Sequence, residues 1–358
     1  MQDGLTRVIN QSSLSRWSMY IGAKIIHNAS KKVRWESCSQ HVARLHFQAL
    51  SNATGDSVEA RLDCCQVLSL FTLSESGTGH GYTLFKQCSP LLIELADKHP
   101  SLRSPGSKIS LQDALSSSCH GISRFASFDT IFSVVFAVPP TVNYDTTYSG
   151  INDVQHNFRV VDLIYGWPTE ILLSLGAVSA WRVSRWIGQS DPSLREWKDI
   201  QTAIEQWRSP IDYVDEPSNV IGRFAIYEAW RQAALIYLYM GMCMVNSADP
   251  RVADAVRQII QLANTVDSRT SLGHHIFVPC LIAGAAARLE KHRAVLRNKL
   301  LASGDDVWFI PGSDLVRVLD HLWHGAGADG LPTTWEDYVH SRCTVLPLGD
   351  TQGASRDH

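Results

Sequence analysis

The sequence lacks any pair of cysteines three positions apart, although it contains eight cysteines in 358 residues. They stand at positions 38, 64, 65, 88, 119, 243, 280 and 343. A CxxC pair marks many zinc knuckles and thioredoxin-type redox sites, so neither is expected here. In a long chain of this kind, we expect the cysteines to be reduced and buried as small hydrophobic side chains.

An excess of charge of one sign is also missing. The formal net charge is −3, and the most basic run is Lys31-Lys32-Val33-Arg34. A run this short provides no nucleic-acid arm, and the overall charge gives no field that attracts DNA or an acidic membrane surface. Residues 1–19 lack the apolar region of a secretory signal. The sequence therefore favours a chain that binds its partners by means other than bulk positive charge.

No apolar run is long enough to cross a membrane. The longest uncharged apolar stretch, Ala233–Val245, has thirteen residues and only Gly241 interrupts its side chains. A transmembrane helix needs about 20 apolar residues, and a run of about 10 to 14 is more typical of a buried core helix. We therefore expect a core helix that stops at Asn246, with the next helix beginning near Asp249-Pro250.

The remaining apolar residues recur with helical spacing. Pro90 must start or kink a helix within Tyr82–Lys98, and Phe132–Val138 is interpreted as a short helix that ends before Pro139. Dense glycine in Gly77–Gly81 is interpreted as a flexible connection between helices. Further helical stripes are predicted in Glu59–Leu73, Leu194–Trp207, Val252–Ala263, Val278–Leu301 and Ser313–Trp323. The pattern predicts an all-α, irregular bundle of about a dozen helices around one core, without a solenoid repeat.

Motifs that carry chemistry are few. His321-Leu-Trp-His324 places two imidazoles on one helix face, but a metal site needs a third ligand, and histidines at a helix C-terminus are the simpler interpretation. The adjacent His274-His275 point apart. The acids Asp305-Asp306 and Asp215-Glu216 lack the carboxylate-rich helical pattern that binds Mg²⁺. The sequence therefore predicts no catalytic, cofactor-binding or metal-binding residue and no cofactor.

Several segments, taken in order, resemble a known family. The segments that show the resemblance are YEAWRQAALIYLYMGMCMVNSADPRVADAVRQIIQL (227–262), HHIFVPCLIAGAAARLEKHRAVLRNKL (274–300), Phe125–Thr146, Val160–Arg182, WFIPGSDLVRVLDHLW (308–323) and Thr333–Val339. They look like the large helical regulatory region of fungal-specific transcription factors, which accompanies a zinc binuclear cluster that binds DNA. The resemblance covers the chain from about Cys64 to Val339.

The resemblance implies an all-α, nuclear, non-enzymatic regulator of transcription. Its implied partners are coactivators or transcription machinery and a second copy of the chain, with no membrane. The basic six-cysteine cluster of the family has no counterpart in the sequence, so DNA contact is expected only indirectly or through a missing cluster segment. The chain is then either a partial product or a stand-alone regulatory domain.

The predicted domain organisation is an N-terminal helical segment over 1–60, the regulatory domain over 61–348, and a disordered tail over 349–358. The alternative function is a helical small-molecule-binding protein or enzyme with an apolar cavity beside Met240–Met244. A large closed apolar cavity lined by convergent polar groups would favour that alternative, and a filled core would oppose it.

Overall fold

The structure is a computed structural model that describes residues 12–30, 39–51, 55–104, 106–147, 160–188, 194–209, 217–267, 270–302 and 310–348. The predicted tail 349–358 and the acidic pairs Asp305-Asp306 and Asp215-Glu216 lie outside these ranges.

The described part of the chain is almost entirely helical, which confirms the all-α prediction. The α-helices are α1 Ser13–Ser30, α2 Ser39–Leu50, α3 Val58–Ser76, α4 Thr78–Lys86, α5 Ser89–Asp97, α6 Leu111–Leu115, α7 His120–Val135, α8 Val160–Tyr165, α9 Thr169–Trp186, α10 Leu194–Gln206, α11 Pro217–Gly241, α12 Pro250–Thr265, α13 Phe277–Ala286, α14 Glu290–Ala302, α15 Gly312–His324 and α16 Trp335–Val345. Three short 3-10 helices span Pro100–Leu102, Ser271–Ile276 and Ala328–Gly330. Two-residue strands, β1 Ile109–Ser110 and β2 Tyr144–Asp145, pair in parallel.

The contacts divide the chain into two compact units. The first unit comprises 1–103, 304–314 and 346–358, and the second comprises 104–303 and 315–345. The division predicted from the sequence, at residues 60 and 348, stays a prediction.

In the first unit, α3 is the central helix and packs against α1, α2, α4 and α5. The Ser57 side chain caps its start by accepting a hydrogen bond from the Ala60 N–H at 3.2 Å. Gly77, with φ of 98°, ends it. At the crossing with α4, a Cβ on Gly81 would lie only 2.3 Å from the Leu73 nitrogen. The two helices can approach this closely because residue 81 is glycine.

This crossing corrects the prediction of a flexible connection over Gly77–Gly81. Only Gly77 breaks the helix, and α4 begins at once with Thr78. The Thr78 hydroxyl donates to the Asp314 carboxylate at 2.7 Å. Glycine is used here for close packing as well as for a turn, and sequence composition alone does not distinguish the two uses.

In the second unit, the predicted core helix is α11, and it packs against α9, α12 and α13. Leu238 and Trp230 are fully buried. The helix ends at Gly241, five residues before the predicted end at Asn246. The Met242 and Cys243 amides both donate to the Leu238 carbonyl, and Met244 has a positive φ of 57°. The end of the apolar run therefore forms a turn, because its amides fold back onto the last helical carbonyls.

The segment Val278–Leu301 divides into two helices. α13 stops at Ala287, whose extended backbone (φ −76°, ψ 121°) leads to α14. The buried Arg293 guanidinium stabilises this break by donating to the carbonyl oxygens of Ala287 at 3.0 Å and Gly327 at 2.6 Å. Leu289, which follows the break, is consequently 53% exposed.

The predictions for Pro90 and for the stripe Val252–Ala263 are confirmed. A Cβ on Gly284 would lie 2.6 Å from Leu319, so glycine at this position allows α13 and α15 to approach closely. Pro90 lies in the first turn of α5 and separates it from α4. The segment Phe132–Val138 is the C-terminal part of α7 and the turn that follows it. Asp249 caps α12, which buries the predicted stripe from Val252 to Ala263. None of the helices in the described ranges is both long and apolar enough to span a bilayer.

A histidine is buried at the start of α13, where the chain packs on α11. The His275 ring lies 3.1 Å from the Ile164 carbonyl oxygen through Nε2, and its own carbonyl accepts the Trp230 indole N–H at 3.1 Å. Gly166, with φ of 65°, leaves the space for the ring, since a Cβ there would lie 2.4 Å from it. Burial lowers the pKa of His275 to about 4, assisted by the nearby Arg223 and His274 charges.

Replacing Leu238 by Asp is expected to destabilise the second unit strongly. Leu238 has no exposed surface, so the change would bury a carboxylate without a partner and cost about 4 kcal/mol or more. Urea denaturation measures this loss. Ile221→Asp is the matched control because Ile221 lies on the same helix and is 72% exposed. Equal stability of Leu238→Asp and wild type would contradict the burial of this face.

The lowered pKa of His275 predicts that the free energy of unfolding depends on pH. The folded-state pKa is lowered, so the stability due to neutral His275 is complete above the unfolded pKa of about 6.5 and is lost as pH falls towards 4. Between pH about 7.5 and 5, wild type should therefore lose about 2 kcal/mol more than His275→Gln. Denaturation of both proteins at the two pH values measures the difference. Parallel losses would show that His275 titrates normally.

Candidate functional site

The second unit has a large groove of about 1480 Å³. Its floor is α9, and its walls are α10 on one side and residues 139–147, which follow α7, on the other. Met242 lies at its inner end. We call this surface the α9 groove. Among the described residues it is partly open to solvent, unlike the closed apolar cavity that the small-molecule alternative called for.

Small residues make the floor of the α9 groove. Gly176, Ala177, Ser179, Ala180 and Ser184 follow one another along α9 and line the groove. A Cβ on Gly176 would lie 2.3 Å from the Leu111 side chain, so glycine at this position lets α6 pack closely against α9. Side chains of this size leave the space above the helix unfilled.

A buried carboxylate positions the wall formed by residues 139–147. Asp129, on α7, accepts hydrogen bonds from the backbone N–H groups of Thr141 at 2.8 Å and Val142 at 3.3 Å. Pairing of Ile109 with Tyr144 holds the far end of the same wall. Burial raises the pKa of Asp129 to about 6, although the hydrogen bonds it accepts oppose the rise. The wall therefore depends on contacts with the core.

Hydroxyl groups connect the groove floor to the core. The Ser133 and Ser179 oxygens lie 3.0 Å apart, and Ser179 lies 3.0 Å from the hydroxyl of Tyr237 on α11. The ring of Tyr237 packs edge-on against Trp335 with centroids 4.7 Å apart. Next to them, the buried Arg182 pairs with Glu336 at 2.8 Å. This network fixes the orientation of α9 relative to α11 and α16.

The rim of the α9 groove is acidic on balance. Glu196 and Asp199, both exposed on α10, line it together with Asp145, and Lys108 is the single basic side chain among the described lining residues. The Trp181 indole nitrogen, also in the lining, is buried without a hydrogen-bond partner in the described part of the chain. The groove thus combines apolar surface with a negative rim.

The histidines singled out in the sequence lie apart from the groove. His321 Nδ1 lies 3.1 Å from the Ser341 hydroxyl, and the exposed His324 lies 2.7 Å from the carbonyl oxygen of Asp320, one turn earlier. His324 thus bonds within the C-terminal turn of α15, as the simpler interpretation expected, whereas His321 contacts α16. His275 is buried in the core as described above. The prediction of no catalytic, cofactor-binding or metal-binding residue stays a prediction.

One cluster was not found from the sequence. His46, Cys65 and Cys88 lie together in the first unit with their potential ligand atoms within 4.8 Å of one another. Their separations in sequence, 19 and 23 positions, follow no metal-site pattern, so no local signal identifies them. The described cysteines are free thiols, and Cys64, Cys65, Cys88 and Cys280 are buried as expected, whereas Cys119, Cys243 and Cys343 are partly exposed.

Comparison with known proteins identifies the family. The model of the fungal-specific transcription factor domain matches residues 28–347. No curated protein and no solved structure matches the chain. The match contains both units' helices from α2 to α16, including the α9 groove and the cluster of His46, Cys65 and Cys88. Because the match covers most of the sequence, the chain belongs to the fungal-specific transcription factor domain family, and its role is in the regulation of transcription.

Proposed function

We propose that the chain regulates transcription in the nucleus by binding another protein, without enzymatic activity and without contacting DNA itself. The partner is a coactivator or a component of the transcription machinery, and a segment of it docks in the α9 groove. Family membership supports the role in transcription. The observation that carries the mode of action is the partly open groove of about 1480 Å³.

The size and shape of the groove favour a polypeptide segment. Small-molecule sites enclose about 300 to 1,000 Å³ and bury most of the ligand. The α9 groove is larger and is open along one side between α10 and residues 139–147. A helix or extended segment of a partner would fit between two such walls and keep one face in solvent.

Charge excludes DNA as the preferred occupant and indicates the chemistry of the partner segment. Glu196, Asp199 and Asp145 outnumber Lys108 at the rim, so phosphates would be repelled. Basic side chains of a partner would complement this rim, while its apolar side chains would cover Trp181 and Ile200. The proposed partner segment is therefore amphipathic and basic.

Reversing charge at the rim is expected to change transcriptional output. In a reporter assay with the full chain fused to a heterologous DNA-binding domain, Glu196→Lys combined with Asp199→Lys should alter output by about tenfold, because like charges then face the partner. Both side chains are exposed, so the fold should be retained. The thermal midpoint of the purified variant checks this.

Glu205→Lys is the matched control, since Glu205 is an exposed acid on the same helix outside the groove. It should leave the reporter output unchanged. Equal output from the rim variant and the wild type would exclude the α9 groove as the docking site. A wild-type fusion that neither raises nor lowers reporter output, together with a cytosolic location of the chain, would exclude the proposed role as a whole.

A small-molecule effector is the second candidate occupant. The observation in its favour is the buried Trp181 indole N–H, which lacks a hydrogen-bond partner in the described ranges and lines the same groove. A ligand with an acceptor at this position would satisfy it.

Native mass spectrometry of the chain purified from its own cells separates the two candidates. A retained small molecule that Trp181→Phe no longer holds would favour the effector, since phenylalanine keeps an aromatic ring but loses the N–H. If wild type and Trp181→Phe both carry no small molecule, and the reporter output depends on the charge of the rim, the partner segment is favoured.

A further inference from the structure

Two helices of the first unit and the turn between α4 and α5 bring metal-ligating atoms together in a fully buried position. His46 lies on α2, Cys65 on α3, and Cys88 between α4 and α5. The exposed fractions are 2% for His46 and 0% for both cysteines. The distance from Cys88 Sγ to His46 Nε2 is 4.0 Å, and all three ligand atoms lie within 4.8 Å of one another.

These separations are close to those in a zinc site. Metal–ligand distances of about 2.3 Å for sulfur and about 2.0 Å for nitrogen place the ligand atoms of a tetrahedral ion about 3.5 to 3.8 Å apart. The observed cluster would contract by at most about 1.3 Å to reach this geometry. We propose that His46, Cys65 and Cys88 bind one Zn²⁺ ion in the first unit.

The donor types and the burial select zinc. Thiolate and imidazole are preferred ligands of Zn²⁺ and poor ligands of Mg²⁺ or Ca²⁺. Two thiolates and one neutral imidazole balance the charge of Zn²⁺, whereas they would leave Cu⁺ with a net charge of −1 in a buried site. Burial of an uncompensated charge is costly. Binding releases the two thiol protons to solvent and transfers no electron.

A further oxygen lies beside the cluster. The Ser69 hydroxyl is 3.6 Å from Cys88 Sγ, a separation typical of two ligands on one tetrahedral ion, and it now donates to the Cys65 carbonyl at 2.5 Å. Ser69 is fully buried on α3, one helical turn after Cys65. It provides the oxygen for the fourth position, either directly or by holding a water molecule there.

The backbone that carries the imidazole is also held in place. The Arg61 guanidinium, on α3, donates to the carbonyl oxygens of Ala49 at 2.7 Å and Leu50 at 2.8 Å. These contacts tie the C-terminal end of α2 to α3 one turn away from His46 and Cys65. The distance between the two ligands is therefore set by a rigid pair of helices, which limits the reorganisation needed for binding.

The environment distinguishes the cluster cysteines from their neighbour. Cys88 Sγ lies 3.6 Å from the Ser69 hydroxyl and 4.0 Å from His46 Nε2. Burial raises the pKa of Cys64 to about 12, and Cys64 lies outside the cluster. Two consecutive buried cysteines thus have different surroundings, and only Cys65 faces the imidazole. The proposal departs from the sequence-based prediction of no metal ligand and is independent of the α9 groove.

Zinc content and cobalt spectra test the proposal on the full chain. Purified from zinc-supplemented cells under reducing conditions, wild type should hold about one Zn²⁺ per chain. Replacing zinc by Co²⁺ should give a thiolate-to-cobalt charge-transfer band in the near ultraviolet. Cys65→Ser, Cys88→Ser and His46→Gln should each weaken zinc binding by more than about 100-fold, since loss of an outer-shell partner already costs about 10- to 100-fold.

Cys64→Ser is the matched control because Cys64 is equally buried and adjacent in sequence. It should retain the zinc and the cobalt band. Equal loss in Cys64→Ser, or wild type without zinc and without the band, would overturn the proposal. A Cys65–Cys88 disulfide in the unreduced wild type would overturn it as well. Mass spectrometry would detect it as the loss of two hydrogen atoms. The wild-type measurements decide the question even where a ligand variant does not fold.

Discussion

Burial of α11 is the constraint on which the second unit depends. The helix carries the longest apolar run of the sequence and is covered by α9, α12 and α13. Its burial places Trp230 where the indole N–H must find a partner, and the His275 carbonyl provides it at 3.1 Å. The same contact brings the His275 ring against Gly166, where only glycine leaves room. One apolar helix thereby determines the position of polar groups on two neighbouring segments.

The α9 groove follows from the same packing. Tyr237 on α11 directs its hydroxyl to Ser179, and Ser179 lies next to Ser133, so the groove floor is tied to the core by hydrogen bonds. Ala177, Ala180 and Ser184 line the groove from α9 with small side chains, between α10 and residues 139–147.

The first unit uses a different kind of contact at its centre. Its central helix α3 approaches α4 through Gly81 and presents Cys65 and Ser69 to His46 and Cys88. Polar and thiol groups therefore take part in a core that sequence composition describes only as hydrophobic. Apolar side chains of similar size would pack in this position equally well. Thiol and imidazole groups differ from them in that they can ligate a metal.

The sequence by itself determined the class of fold and much of its local structure. Apolar periodicity located α3, α12 and α15, Pro90 marked the start of α5, and Asp249-Pro250 marked the start of α12, because capping and periodic burial are local properties. The end of α11 at Gly241, the break at Ala287 and the close packing at Gly81 were decided by tertiary structure. The break at Ala287 depends on a group distant in sequence, because the fold brings the Gly327 carbonyl beside the Arg293 guanidinium. The α9 groove and the cluster of His46, Cys65 and Cys88 likewise required the fold, since their residues converge from separate helices and no spacing along the chain encodes that convergence.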